Sequence, residues 1–283
     1  MTKIIGLSGK KQSGKSTTAN WIIGQQMCAV DMVSWIKINK KGQLIVPAVV
    51  DGELVEGRMD PLSKDPNVQR MLAQYVWPVV KLYSFADILK LSAMAIFGLD
   101  VENVDGTNEQ KDEPTKFKWR QFKNFLREDT IDQMIKEVGR EKLWESNMSG
   151  RHILQVMGTD IFRSIHGNVW VDACLKNVLE EGSELAIITD CRFPNEVEGI
   201  QKMGGRVIRF TRAPFDGQDE HSSETALDYY EGFDHIFDNR ESSITEQNEQ
   251  TNRLLNAWGC DSWEWYAKQD VLPSNKHTTD VRR

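Results

Sequence analysis

The sequence has no apolar run near the roughly 20 residues that a membrane-spanning helix needs. Its first residues, MTKIIGLSG, lack the layout of a secretory leader. Both absences lead to the expectation of a cytoplasmic protein without a membrane partner. Cysteine is scarce: Cys28, Cys174, Cys191 and Cys260 are widely spaced and no two form a C-x-x-C pair. That spacing suits neither a thiolate zinc site nor a disulfide framework, so reduced thiols are expected. A basic excess is missing too, because 35 Lys and Arg against 42 Asp and Glu leave a formal net charge of -7. An acidic surface gains little from a phosphate backbone, which disfavours nucleic acid as a partner but leaves room for a local basic cleft. There is no internal repeat and no low-complexity block.

What is present is an ordinary globular composition, 40% hydrophobic and 27% charged, enough for a sizeable core. Short apolar runs alternate with helical periodicity. Lys3–Ser8, Val79–Phe85, Glu184–Thr189, Arg206–Phe210 and Phe233–Phe237 read as strands. Thr17–Met27, Ala86–Phe97, Ile153–Ile165, Val169–Leu179, Asn195–Met203 and Ile244–Trp258 read as helices, with Gly204-Gly205 as a stop signal. This alternation predicts an α/β fold with a parallel sheet covered by helices on both faces. Between Cys28 and Val80 the turn signals Lys40-Lys41-Gly42 and Asp51-Gly52 predict a β-hairpin or three-strand insertion, followed by a short helix at Val68–Tyr75. Val101–Lys116 reads as a polar, mobile loop, Trp119–Trp144 as a charged helical stretch, and Ala213–Glu220 as a loop. One domain over residues 1–272, with insertions at about 29–80 and 117–148 and a fraying tail at 273–283, accounts for the pattern.

Gly9-Lys10-Lys11-Gln12-Ser13-Gly14-Lys15-Ser16 fits G-x-x-x-x-G-K-[ST] at every specified position, between a predicted strand and a predicted helix. A phosphate chain needs several N–H donors converging on it. Gly9 and Gly14 let the backbone curl that tightly, and the helix N-terminus adds unpaired amides and a positive dipole end. Gly9, Lys11, Gln12, Ser13, Gly14, Lys15, Ser16 and Thr17 are therefore the expected donor-nucleotide site. Lys15 supplies a charge between the terminal phosphates, and Ser16 a hydroxyl for Mg²⁺.

The loop alone does not say where the phosphate goes. Asp190 closes a buried strand, at the sheet edge where ligands bind, and is a candidate for holding Mg²⁺ or taking a proton. A capping role is the alternative. Arg192, two residues on, can grip a second phosphate with its planar fork. Arg212 ends the next strand and is a candidate lid arginine over the transferring group, or else a solvated surface residue. No Asn-Lys-x-Asp guanine reader is present, and no apolar strand ends in paired acids. These absences argue against a GTPase switch and a motor ATPase. Small-molecule phosphoryl transfer remains, with a dephospho-coenzyme A or sugar-acid kinase, a non-catalytic nucleotide-binding module and a nucleic-acid-dependent ATPase as the alternatives.

Several segments, taken in order, resemble the phage-type deoxynucleoside monophosphate kinases of the P-loop NMP kinase family: LSGKKQSGKSTTA (Leu7–Ala19), YSFADILK (Tyr83–Lys90), RHILQVMGTDIFR (Arg151–Arg163), NVWVD (Asn168–Asp172), TDCRFPNEVEGIQKMGGRVIRFTR (Thr189–Arg212) and HSSE (His221–Glu224). The resemblance implies an NMP-kinase-like fold with inserted subdomains. It also implies transfer of the γ-phosphoryl of ATP, with Mg²⁺, to a deoxynucleoside monophosphate. By motif position it implies that Arg151, Gly158, Thr159 and Trp170 lie around the acceptor, with Asp190, Arg192 and Glu196 nearby. Phe85 and Lys90 match the family's second strand and following helix and join the expected acceptor site, while catalysis is expected from Lys15, Asp190, Arg192 and Arg212. A tryptophan there can stack on a base, though Trp170 reads equally well as core. The insertions are longer than the family pattern and are also candidate surfaces for a homodimer.

Overall fold

The computed structural model describes residues 2–212 and 226–260. The expected loop at Ala213–Glu220, the HSSE stretch and the tail from 273 lie outside the described residues.

In chain order, β1 (Lys3–Gly9) leads into α1 (Lys15–Ala29). There follow β2 (Lys37–Ile38), β3 (Leu44–Val50), β4 (Glu53–Met59) and α2 (Pro66–Tyr75). Next come β5 (Val80–Tyr83), α3 (Asp87–Phe97), α4 (Val101–Asp105) and α5 (Asn108–Asp112). A ribbon, β6 (Pro114–Lys118) and β7 (Asn147–Ser149), brackets α6 (Glu128–Val138). The remainder is α7 (Gly150–Gln155), α8 (Val169–Glu181), β8 (Leu185–Cys191), α9 (Pro194–Lys202), β9 (Arg206–Thr211), β10 (His235–Asp238) and α10 (Ile244–Ala257).

Five strands form a parallel sheet in the order β10-β9-β1-β8-β5. Residues Ile4 to Ser8 of β1 and Leu185 to Ile188 of β8 are all buried, as strands covered on both faces must be. The period-two alternation divides them between two cores. Ile5, Leu7, Leu185, Ile187, Ile208 and Phe210 pack with α1, Leu255 of α10 and the insertion residues Leu44 and Met59. Ile4, Ala186, Ile188 and Val207 pack on the opposite face with Val171 and Leu175 of α8 and Val197 and Ile200 of α9. From β1 the chain runs to β5 at one edge, returns to β8, then crosses β1 to β9. That reversal opens a crevice at the carboxyl ends of β1 and its neighbours, where α/β sheets bind ligands.

The first insertion is the expected antiparallel sheet, β2-β3-β4. Its hairpin turns at Asp51-Gly52, both at positive φ (51° and 82°), with Val50 facing Glu53. Asn20 of α1 donates to the Gly42 carbonyl and so ties this sheet to the helix behind the glycine-rich loop.

Three expectations from the sequence are corrected. Residues 101–116 are not a mobile loop: they form α4, α5 and the start of β6. Thr107 accepts from the Gln110 amide and the Gln110 side chain accepts from Thr107 N–H, a reciprocal cap that starts α5. The charged stretch 119–144 is not one helix. It breaks into two 3₁₀ turns around α6, whose Met134 is buried with Trp119, Phe122 and Leu143 in a third core against α3 and α7. The helix expected at 153–165 is α7 followed by a π-helical segment, Val156–Arg163.

Candidate active site

Strand register sets the site. Ser8 of β1 lies opposite Cys191 of β8, and Gly9 lies opposite Phe210 of β9. The loop after β1 therefore emerges with Arg192 on one side and Arg212 on the other, and adjacent strands sit about 4.8 Å apart. Arg212 Nη1 donates to the Gln12 carbonyl at 3.3 Å. The glycine-rich loop and both arginine-bearing strand ends thus share one sheet edge.

Inside the loop the glycines are required. Gly9 has φ 149° and Gly14 φ 112°, where side chains are strained. A Cβ on Gly9 would fall 2.5 Å from Ser13 Oγ and 2.7 Å from the Phe210 carbonyl oxygen. Gly14 is also the residue before α1, and no side chain caps that helix. The positive end of the α1 dipole therefore opens onto the loop, as an anion site requires. Lys15 Nζ donates to the carbonyls of Gly9 (2.5 Å) and Lys10 (2.8 Å). Ser13 is buried and its hydroxyl has no partner among the described residues. Ser16 is exposed in the first turn of α1, while Lys11 and Gln12 are exposed and Thr17 half-buried beside it. A cleft of about 620 Å³ opens alongside, lined by Lys10 to Ser13, Arg209 to Arg212, Leu227, Asp228, Tyr230, Phe233 and Ile236. Asp228 holds two of its cations, Lys10 (2.9 Å) and Arg209 (3.3 Å).

On the β8 side, Asp190 binds the turn between β5 and α3. Its carboxylate accepts from Ser84 Oγ (2.5 Å), Phe85 N–H (2.8 Å) and Ala86 N–H (3.3 Å). These three bonds tie Asp190 to the turn that starts α3, a positioning role in addition to any that the sequence suggests. Glu196, 2% exposed, accepts from the amides of Arg192 (2.7 Å) and Phe193 (3.0 Å) and from Arg163 Nη2 (3.0 Å). Burial pushes its pKa up to about 7, against the pull of those amides and of Arg163. Arg163 also stacks on Phe193, 4.1 Å from the ring centre. Arg192 itself is exposed at the mouth.

Further along, Lys90 of α3 pairs with Asp105 of α4 (2.5 Å), and Arg151 of α7 pairs with Asp112 of α5 (2.6 Å) and donates to Asn108 (3.2 Å). Lys111 lies among them. Burial, and then the neighbouring Lys90 charge, lower its pKa. The helices α3, α4, α5 and α7 therefore gather three cations, with two carboxylates as their present counter-ions.

Not every residue expected at the acceptor faces it. Phe85 contributes a backbone amide while its ring is core. Trp170 is 5% exposed, donates to the Gly158 carbonyl at 3.0 Å and meets Phe162 edge-on. Its indole holds the π-helical segment rather than presenting a stacking face. Gly158 is buried, and a Cβ there would strike Leu89 at 2.9 Å. Thr159 is half-buried beside it. Sequence reading missed Arg163, although it ends the quoted RHILQVMGTDIFR segment. It also missed Asn239 and Gln247, which contact the glycine-rich loop and carry no local motif.

No helix among the described residues is long and apolar enough to cross a membrane. The described residues also contain no cluster of His, Cys, Asp and Glu able to hold a metal ion by themselves.

A deoxynucleotide monophosphate kinase family profile matches residues 84–250. A protein of Acanthamoeba polyphaga mimivirus described as a deoxynucleotide monophosphate kinase is 30% identical over 163 residues, 56% of this chain and 75% of its own length. The deoxynucleoside-5′-monophosphate kinase of Escherichia phage T5 is 34% identical over 71 residues, 25% of this chain and 28% of that protein. With the sheet, the glycine-rich loop and the opposed arginines in place, these matches establish that the chain belongs to the deoxynucleotide monophosphate kinase family, phosphotransferases that use ATP to phosphorylate deoxynucleoside monophosphates.

Proposed function

We propose that ATP lies on Gly9 to Thr17 with its nucleoside toward the cleft lined by Tyr230 and Phe233, and that the acceptor monophosphate lies across the sheet edge, toward Arg192, Lys90 and Arg151. The observation that supports this reading is the register pairing Ser8 with Cys191, which brings the start of the glycine-rich loop next to the strand end that carries Arg192. Lys15 neutralises the terminal phosphates once it leaves the Gly9 and Lys10 carbonyls. The exposed Arg212, already touching the loop at Gln12, serves the group in flight. The acceptor is already an anion, so no strong general base is required. Positioning and charge neutralisation carry the reaction.

The donor set fits Mg²⁺. One hydroxyl, Ser16, stands at the loop's end, and Mg²⁺ typically binds substrate phosphates and water with few protein ligands. When bound, it would neutralise phosphate charge there. Steady-state turnover across all ribo- and deoxynucleoside monophosphates, with ATP and Mg²⁺, tests the reading. Stimulation of ADP release by deoxynucleoside monophosphates is expected. ADP release that no monophosphate stimulates would overturn it.

A further inference from the structure

Two amide side chains from the far end of the chain reach the glycine-rich loop. Asn239, just after β10, donates through Nδ2 to the Ser13 carbonyl (3.0 Å) and to Gln247 Oε1 (3.0 Å). Gln247, on α10, donates through Nε2 to the Gly14 carbonyl (2.9 Å) and to Thr18 Oγ1 (2.8 Å). Both residues are at most 5% exposed. All four amide hydrogens are used, and the two loop carbonyls can only accept, so the orientation of both amides follows. The pair also lies directly on Gly14. A Cβ there would come within 2.6 Å of Asn239 Nδ2 and 2.8 Å of both Gln247 amide atoms.

We infer that Asn239 and Gln247 are positioning residues that aim the phosphate-binding amides of Gly14 and Lys15. A trans peptide holds its carbonyl and its N–H on opposite sides. Drawing the Ser13 oxygen toward Asn239 turns the Gly14 N–H the other way. Drawing the Gly14 oxygen toward Gln247 does the same for Lys15 N–H. The clamp thus fixes two donors into the loop's interior before nucleotide arrives, which removes part of the ordering cost of binding. Glycine is needed at position 14 for the clamp as well as for its φ. The inference rests on the reading of Gly9 to Ser16 as the ATP loop.

Three variants test it, with KM for ATP and for the preferred deoxynucleoside monophosphate measured separately. Gln247→Met keeps length and removes both donors. It should raise KM for ATP about tenfold, the scale of one buried hydrogen-bond loss, and leave the acceptor KM within about twofold. Thr18→Val removes one of the four contacts, should fold even if Gln247→Met does not, and should raise KM for ATP by a smaller factor of about three. An unchanged KM for ATP in the variant that folds, or equal rises in both KM values, overturns the clamp. Lys15→Ala separates the two ideas. If Lys15→Ala is inactive while Gln247→Met is normal, only the clamp fails. If Lys15→Ala keeps full activity, the loop reading itself fails.

Discussion

Arg163 Nη2 lies 3.0 Å from Glu196 Oε1, and that carboxylate, 2% exposed, also accepts the amides of Arg192 and Phe193. One buried acid therefore holds the backbone that carries the exposed Arg192 at the end of β8. Burial lifts its pKa from the ordinary 4.5 to about 7. Between those values the folded protein keeps a proton that the unfolded chain has released. The associated stability is fully present below about pH 4.5 and is lost as pH rises through 7. The scale is on the order of 3 kcal/mol. In Glu196→Gln this contribution disappears. Thermal melts at pH 5, 6, 7 and 8 should show the wild-type advantage shrinking with pH. Parallel pH profiles would refute the assignment.

The hydrogen bonds of Asp190 make a different kind of test. Its oxygens accept from Ser84, Phe85 and Ala86, so Asp190→Asn replaces one acceptor oxygen at the β5–α3 turn with a donor NH2. A loss of about 1–3 kcal/mol in stability is expected, along with a severalfold rise in acceptor KM because α3 carries Lys90. The Mg²⁺ concentration for half-maximal rate should stay unchanged in Asp190→Asn and rise in Ser16→Ala. A raised Mg²⁺ requirement in Asp190→Asn would instead support the metal role that its strand-end position implies.

This difference marks what the sequence makes legible. The five sheet strands and the glycine-rich loop are written in contiguous residues: apolar runs, a fixed spacing, a flanking helix. Asp190 was identifiable as a strand-end carboxylate, but its partners Ser84 to Ala86 are over 100 residues away. Asn239 and Gln247 meet the loop across more than 220 residues, and nothing local distinguishes them from other polar side chains. The helices at 101–112 are another matter. Thr107 followed by Gln110 and Asp100 followed by Asn103 are local capping pairs, and high polarity hid them. Trp170 reads as a base-stacking residue or as core from sequence alone, and its burial and its bond to the Gly158 carbonyl are contacts with no local signature.

Arg151 engages Asp112 through Nε and Nη2 and reaches Asn108 as well. A lysine cannot reproduce that fork. Arg151→Lys should therefore raise acceptor KM about tenfold, close to Arg151→Ala, with KM for ATP unchanged. The pair is too exposed for its loss to matter much to stability. If Arg151→Lys behaves as wild type, the arginine acts as a simple point charge or lies away from the acceptor.

The insertion between β6 and β7 predicts coupling between stability and acceptor binding. Phe122 is buried there, packing at 5.7 Å from Phe97 of α3 and 6.4 Å from Phe117 of β6. The same core includes Ile153 of α7, the helix that carries Arg151, and α3 carries Lys90. Phe122→Ala should cost about 3–5 kcal/mol from the lost burial and the cavity left behind. Its kinetic effect should be one-sided. The acceptor KM rises because α3 and α7 lose a shared wall, while KM for ATP stays near wild type because the glycine-rich loop is anchored by α10 and the central sheet. Denaturant unfolding with both KM values checks this. A rise in KM for ATP equal to that for the acceptor would show that the third core supports the whole sheet edge rather than its acceptor half.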